Sequence, residues 1–228
     1  MYVMVRHMTL AIALIALPIL FNVFYAALIV RFSYPGILRE PTADILTRFT
    51  QGGTGLILLW WGFAMSAVAF IPVAVLTGSL VADETLRTAV VMVGVVAGLV
   101  QALGLLRWVF LVPHLARESA AGADPKVIDL VFQSFHRYLG VAVGEHLGYL
   151  STGAFSILLS IGTWAVLPMW LTIPGIVIGA MLVVGALEFV GPFEQKGWKV
   201  AGILVPVGYT LWSVWVLALG VVLLVQAL

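Results

Sequence analysis

The chain has 228 residues, of which 63% are hydrophobic and 9% charged, with a net charge of +1 and no cysteine. A water-soluble domain carries about 25% charged residues, so a chain this apolar cannot clothe a water-facing surface and must use lipid as its solvent. The balanced charge, without any Lys/Arg block, gives no footing for nucleic acid, and the missing thiols exclude disulfides, thiolate metal sites and cysteine nucleophiles.

The first apolar run, Met8 to Val30, follows Arg6. At roughly 22 residues it exceeds a signal-peptide core of about 7–15 and reads as a retained span. A crossing helix needs about 20 apolar residues, and six segments qualify: about 8–30, 54–78, 89–113, 139–163, 166–190 and 202–226. The expected fold is all-α, a single polytopic bundle of six transmembrane helices. "GTWAVLPMW" must form a tight turn between the fourth and fifth spans. The first, third and fifth connections hold Arg31, Arg39, Arg48, Arg117, Lys126, Arg137, Lys196 and Lys199, against Arg6 and Arg87 on the other side. That asymmetry places the odd connections in the cytoplasm and both termini outside. Trp60, Trp61, Trp108, Trp164, Trp170 and Trp198 fall near span ends, as interfacial anchors do.

Between the first two spans, Pro41 suits a first helical position and Gly52 a C-terminal cap. Ile45, Leu46 and Phe49 share one face, opposite Asp44 and Arg48. This pattern predicts a short amphipathic helix lying at the membrane interface. In the third connection, Gly122 can end one helix and Asp124-Pro125 can begin the next. The third helix then runs from about 89 to 121 and the fourth from 125 to about 163, roughly 50 and 58 Å at 1.5 Å per residue, against a hydrocarbon core of about 30 Å. The two should project from the membrane as a hairpin. On it Val127, Ile128, Val131, Phe132 and Phe135 form an apolar stripe, and Lys126, Asp129, Gln133 and Arg137 a polar side. Residues 118–137 and 32–52 are therefore the candidate docking surfaces for a protein partner or a second copy of the chain.

Small residues let helix backbones approach closely where lipid supplies no hydrophobic drive. Gly140, Gly144 and Gly148 repeat at that spacing on the fourth helix, Gly94, Gly98 and Ala102 on the third, and Gly175 and Gly179 on the fifth. Glu145 and His146 interrupt the fourth-helix stripe. Adjacent residues do not face each other on an α-helix, so they are not expected to act as one dyad. If the hairpin turns near residues 122 and 123, Gln101 comes level with Glu145, Arg107 with Tyr138 and His114 with Val131. A polar seam is predicted: Gln101 and Glu145, then Arg107, His136 and His114. An unpaired ionisable group at mid-membrane costs about 2.5–3.5 kcal/mol on the mildest scale, so such residues persist by pairing, lining water or working.

Catalytic signatures are missing: no H-E-x-x-H, no G-x-S-x-G, no P-loop and no G-x-G-x-x-G. His136 and His146 lie about 15 Å apart on one helix and cannot bracket a haem iron, which leaves His114 with His136 as the conceivable pair. No metal site and no enzymatic activity are expected, and the cofactor is left open.

"FSYPGILREPTADILTRFTQGG", "LWWGFAMSAVAFIPVAVL" and "RYLGVAVGEHLGYL" together resemble small bacterial six-helix membrane proteins classed as a domain of unknown function. The resemblance covers nearly the whole chain. It implies a multi-pass protein of the bacterial cytoplasmic membrane and assigns no residue a role. Three readings follow from the residues: a buried seam serving proton-linked solute movement or sensing, an accessory subunit docking a partner, and a haem or other cofactor-binding protein.

Overall fold

The computed structural model describes residues 2–227, with side chains from His7 onward; the Arg6 side chain, used above for sidedness, lies outside them. Among these residues there are helices and turns and no strands. The α-helices are α1 (Tyr2–Phe32), α2 (Thr42–Thr77), α3 (Glu84–Ala120), α4 (Pro125–Phe135), α5 (Gly148–Gly162), α6 (Met169–Gly185) and α7 (Ala201–Ala227). Five stretches are long and apolar enough to cross a membrane: His7–Phe32, Thr42–Leu80, Glu84–Ala120, Met169–Phe189 and Ala201–Ala227.

The fourth predicted span departs from expectation. In place of one α-helix from 125 to 163, a π-helix, His136–Leu147, separates α4 from α5. α5 alone has 15 residues, short of a full crossing. π-turns close i→i+5 and are usually single bulges; here the wider winding persists for 12 residues. Gly140 and Gly144 lie within it, and glycine disfavours a regular α-helix by about 1 kcal/mol relative to alanine.

The boundaries follow local chemistry. α3 ends in a Schellman pair: Ala123 N–H bonds the Glu118 carbonyl at 3.1 Å and Gly122 N–H that of Ser119 at 3.2 Å. Gly122 supplies the required left-handed turn at φ 89°. Asp124 then caps α4, accepting the Lys126 N–H at 2.9 Å, with Pro125 at the first position. α3 begins at Glu84, before the expected residue 89, because Asp83 accepts the Leu86 N–H at 2.7 Å. α2 breaks at Gly53 (φ 55°, ψ −154°), one residue past the expected cap at Gly52, which separates the predicted amphipathic helix from its span.

The chain forms two compact units. Unit 1 comprises residues up to Ile19, Val68–Val100 and those from His146 on; unit 2 comprises Leu20–Ala67 and Gln101–Glu145.

In unit 1 the core gathers Leu10, Leu14, Phe70, Phe155, Trp212 and Trp215 with their neighbours. α5 and α6 touch backbone to backbone: a β-carbon on Gly153 would stand 2.5 Å from the Gly179 carbonyl oxygen, and one on Gly179 2.6 Å from that of Gly153. Gly94 packs on Ala74 and the Phe155 ring, and buried Gly98 lies in the same unit. Gly140 and Gly144 belong to unit 2.

Unit 2 is an aromatic core. Trp60 and Trp108 stack at 4.7 Å and 9°, Phe32 meets Trp108 edge-on at 5.4 Å, and Phe49 and Phe132 close around them. Two expectations are corrected here. Trp60 and Trp108 are 0% exposed, so they are core and not interfacial anchors. Ile45, Leu46 and Phe49 are buried in the same core, so the amphipathic helix spends its apolar face on protein and not on lipid. The α4 stripe divides: Ile128 and Phe132 enter the core, while Val127 and Phe135 stay exposed. Thr42 donates to Asp129 Oδ1 at 2.5 Å and accepts from Gln133 Nε2 at 3.1 Å, tying the start of α2 to the polar side of α4.

Candidate functional site around Arg107

Arg107 sits on α3 in unit 2 and is 8% exposed. Proximity of Trp108 follows from sequence, and the indole face carries the guanidinium, with Cζ 5.4 Å from the ring centroid. Nη1 donates to the Gly104 carbonyl one turn back. Nη2 lies 3.4 Å from His136 Nδ1. The fork lies flat against Gly140, where a β-carbon would stand 2.7 Å from Nη2. Only a residue without a side chain admits the guanidinium there. Tyr34 and Glu145 are within electrostatic reach of Arg107. A buried cation, a half-buried carboxylate and a half-buried imidazole thus share one region, and the π-helix contributes two of the three.

His136 precedes the apolar part of its segment and stacks on Phe132 at 6.0 Å. A neutral imidazole there can offer Nδ1 as an acceptor to the Arg107 fork.

One turn before Arg107, Gly104 meets Gly144: a β-carbon on Gly104 would stand 2.7 Å from the Gly144 Cα. This contact brings α3 and the π-helix together closely enough for Arg107 to reach Gly140. Gly104, Tyr34 and Trp108 are site residues that the glycine and charge patterns did not single out. Gly104 stands three residues before a buried arginine, and that spacing was the available signal.

The other predicted members fall elsewhere. Gln101 is half-buried on α3 in unit 2. His114 leaves the seam: its side chain is 58% exposed, and Nδ1 faces Glu118 on its own helix at 3.9 Å. Arg107, seven residues earlier on the same helix, is buried. With His114 outward and His136 against Arg107, the pair considered as haem ligands is committed to other partners. His146 belongs to unit 1, where Nδ1 is 2.6 Å from the Ala186 carbonyl and donates to it. Glu145 is the last residue of unit 2. Gly148, the last of the stripe, is buried in unit 1. Among the described residues, no group of three or more His, Cys, Asp or Glu side chains is arranged to hold a metal ion.

Five long apolar helices define a multi-pass integral membrane protein in contact with the lipid bilayer. The chain belongs to the family called domain of unknown function DUF4386, whose match covers residues 9–220. No curated protein and no solved structure matches it.

Proposed function

We propose that this protein moves or senses a small solute in a proton-linked manner through the Arg107–His136–Glu145 cluster, as a non-enzymatic protein of the bacterial inner membrane. The observation that carries this reading is the Arg107 guanidinium, buried on an apolar helix and held by the Gly104 carbonyl beside His136. Ionisable groups at such depth are expensive and line pathways or relays more often than they serve as packing. The π-helix supports the reading, because such windings cluster at functional sites. In this arrangement the helical segment 125–162 makes the sixth crossing, its start and the end of α3 project into the cytoplasm, and both termini face outward. The test is flux in reconstituted vesicles across a panel of small solutes under an imposed pH gradient. Glu145→Gln abolishes the pH-dependent component; flux equal to wild type, or none for any solute, removes the proposal.

A second reading has its own observation. Val127 (55%), Leu130 (68%) and Tyr138 (67%) are exposed apolar side chains on α4 and the start of the π-helix, a face suited to a partner. Purification from the native membrane in mild detergent decides it: a stoichiometric partner lost on Leu130→Glu supports docking, and a chain that always travels alone rejects it.

A further inference from the structure

In unit 1 the turn between α5 and α6 meets the end of α7 in an open groove of about 630 Å³. Its walls include Val166, Pro168, Trp170, Val221 and Val225, with Gln226 among them as an amide. Among the described residues no charged side chain lines it. The walls face outward: Val166 is 63% exposed, Trp170 60% and Val225 67%.

The groove continues the surface that meets lipid. On α6, Trp170, Ile173 and Val177 are exposed at helical spacing, and on α7 Val214, Val221 and Val225 are. Both segments are long and apolar enough to cross a membrane, so these stripes face acyl chains. They run into the groove at Trp170 on one helix and at Val221 and Val225 on the other. Trp170 stands in the first turn of its span, the level at which an indole meets the bilayer interface. A recess left empty there forfeits dispersion contacts along its walls, and a flexible hydrocarbon chain restores them. The polar side-chain groups of the lining, the Trp170 indole N–H and the Gln226 amide, are neutral. They suit a glycerol ester, and the lining offers no cation to a phosphate.

We infer that this groove is a binding site for one acyl chain of a diacyl phospholipid, chosen for its hydrocarbon and not for its headgroup charge. The site is independent of the Arg107 cluster: that reading stands or falls on flux, and this one on bound lipid.

Native mass spectrometry of the full chain released from detergent micelles, titrated with dioleoyl phosphatidylcholine or phosphatidylglycerol, tests it. One lipid per chain binds several-fold tighter than any that follow, and the two headgroups bind equally. Val221→Trp, which puts a large ring into the groove, loses that first lipid. Val214→Trp, on the same stripe but outside the groove, keeps it. Lipids that add statistically, with no first step, mean ordinary bilayer contact only and overturn the site. So do a first lipid that survives Val221→Trp, a preference for the anionic headgroup, and a lipid-free dimer that Val221→Trp separates, which would give the groove to a second copy. A phosphatidylcholine carrying a diazirine on one acyl chain decides without any variant. At one equivalent its adducts map to residues 165–170 and 221–226, and adducts confined to other segments overturn the proposal.

Discussion

Unit 1 is held together by small residues and hydroxyls, unit 2 by aromatic rings around a guanidinium. In unit 1 the buried polar side chains are serines and threonines, and several return their hydrogens to carbonyls one turn back, as Ser156 and Thr163 do. Helix approach is set by size, with Gly153 and Gly179 in backbone contact. In unit 2 one buried cation is supplied with acceptors from α3 and from the π-helix, and it lies over Trp108, which itself packs on Trp60 and Phe32. Lipid as solvent penalises an unsatisfied charge far more than an unsatisfied hydroxyl. Unit 1 should therefore be sensitive to added volume and unit 2 to removed charge.

The largest effect is expected at Arg107. Arg107→Leu strips the Gly104 carbonyl and His136 of their donor and should cost unit 2 about 3–5 kcal/mol, the usual penalty for breaking a buried charged cluster. Reversible unfolding in mixed micelles measures it. Arg107→Lys keeps the charge but loses the planar fork, and should recover only part of the loss. A wild-type midpoint for Arg107→Leu would remove the distinction between the units.

Volume is the complementary probe. Gly179→Val drives a branched side chain into the Gly153 carbonyl and should cost about 1–3 kcal/mol or more by overpacking. Gly202→Ala on α7, where nothing lies within 4 Å, should be neutral or stabilising by up to about 1 kcal/mol. Equal effects at the two glycines would mean that α5 and α6 are not in backbone contact.

Smaller still is the tie at Thr42. Thr42→Val removes the bonds to Asp129 and Gln133 and should cost about 1.5 kcal/mol, read as earlier unfolding with the helical content of α4 otherwise retained.

Much of the helical layout was legible in the sequence, because apolar length and end signals are local. Gly122, Asp124 and Pro125 announced one helix end and one start, and the turn between α5 and α6 lies at "GTWAVLPMW". The break in α2 fell one residue from its expected position, at Gly53. What the sequence did not reveal was non-local. A glycine spacing of four fits an α-helix and a π-helix about equally, so Gly140, Gly144 and Gly148 could not disclose the change of winding. Trp60 and Trp108 sit where interfacial anchors sit, and only the arrival of Phe32 and Phe49 makes them core. Of the proposed seam, Arg107, His136 and Glu145 come into one region. His114 does not join them, because its side chain is exposed and faces Glu118 on its own helix. His146, which was not placed in the seam, belongs to unit 1, where Nδ1 donates to the Ala186 carbonyl.

The account depends most on the guanidinium of Arg107 lying within the helices of unit 2, against His136. A solid-state NMR distance between the Arg107 Nη nitrogens and His136 Nδ1, measured in lipid bilayers with selectively labelled protein, tests this directly. A strong dipolar coupling matching the 3.4 Å separation, together with slow exchange of the guanidinium hydrogens with water, is the predicted result. An Arg107 that shows no coupling to His136 and exchanges its hydrogens freely would place the charge at the membrane surface and contradict the account.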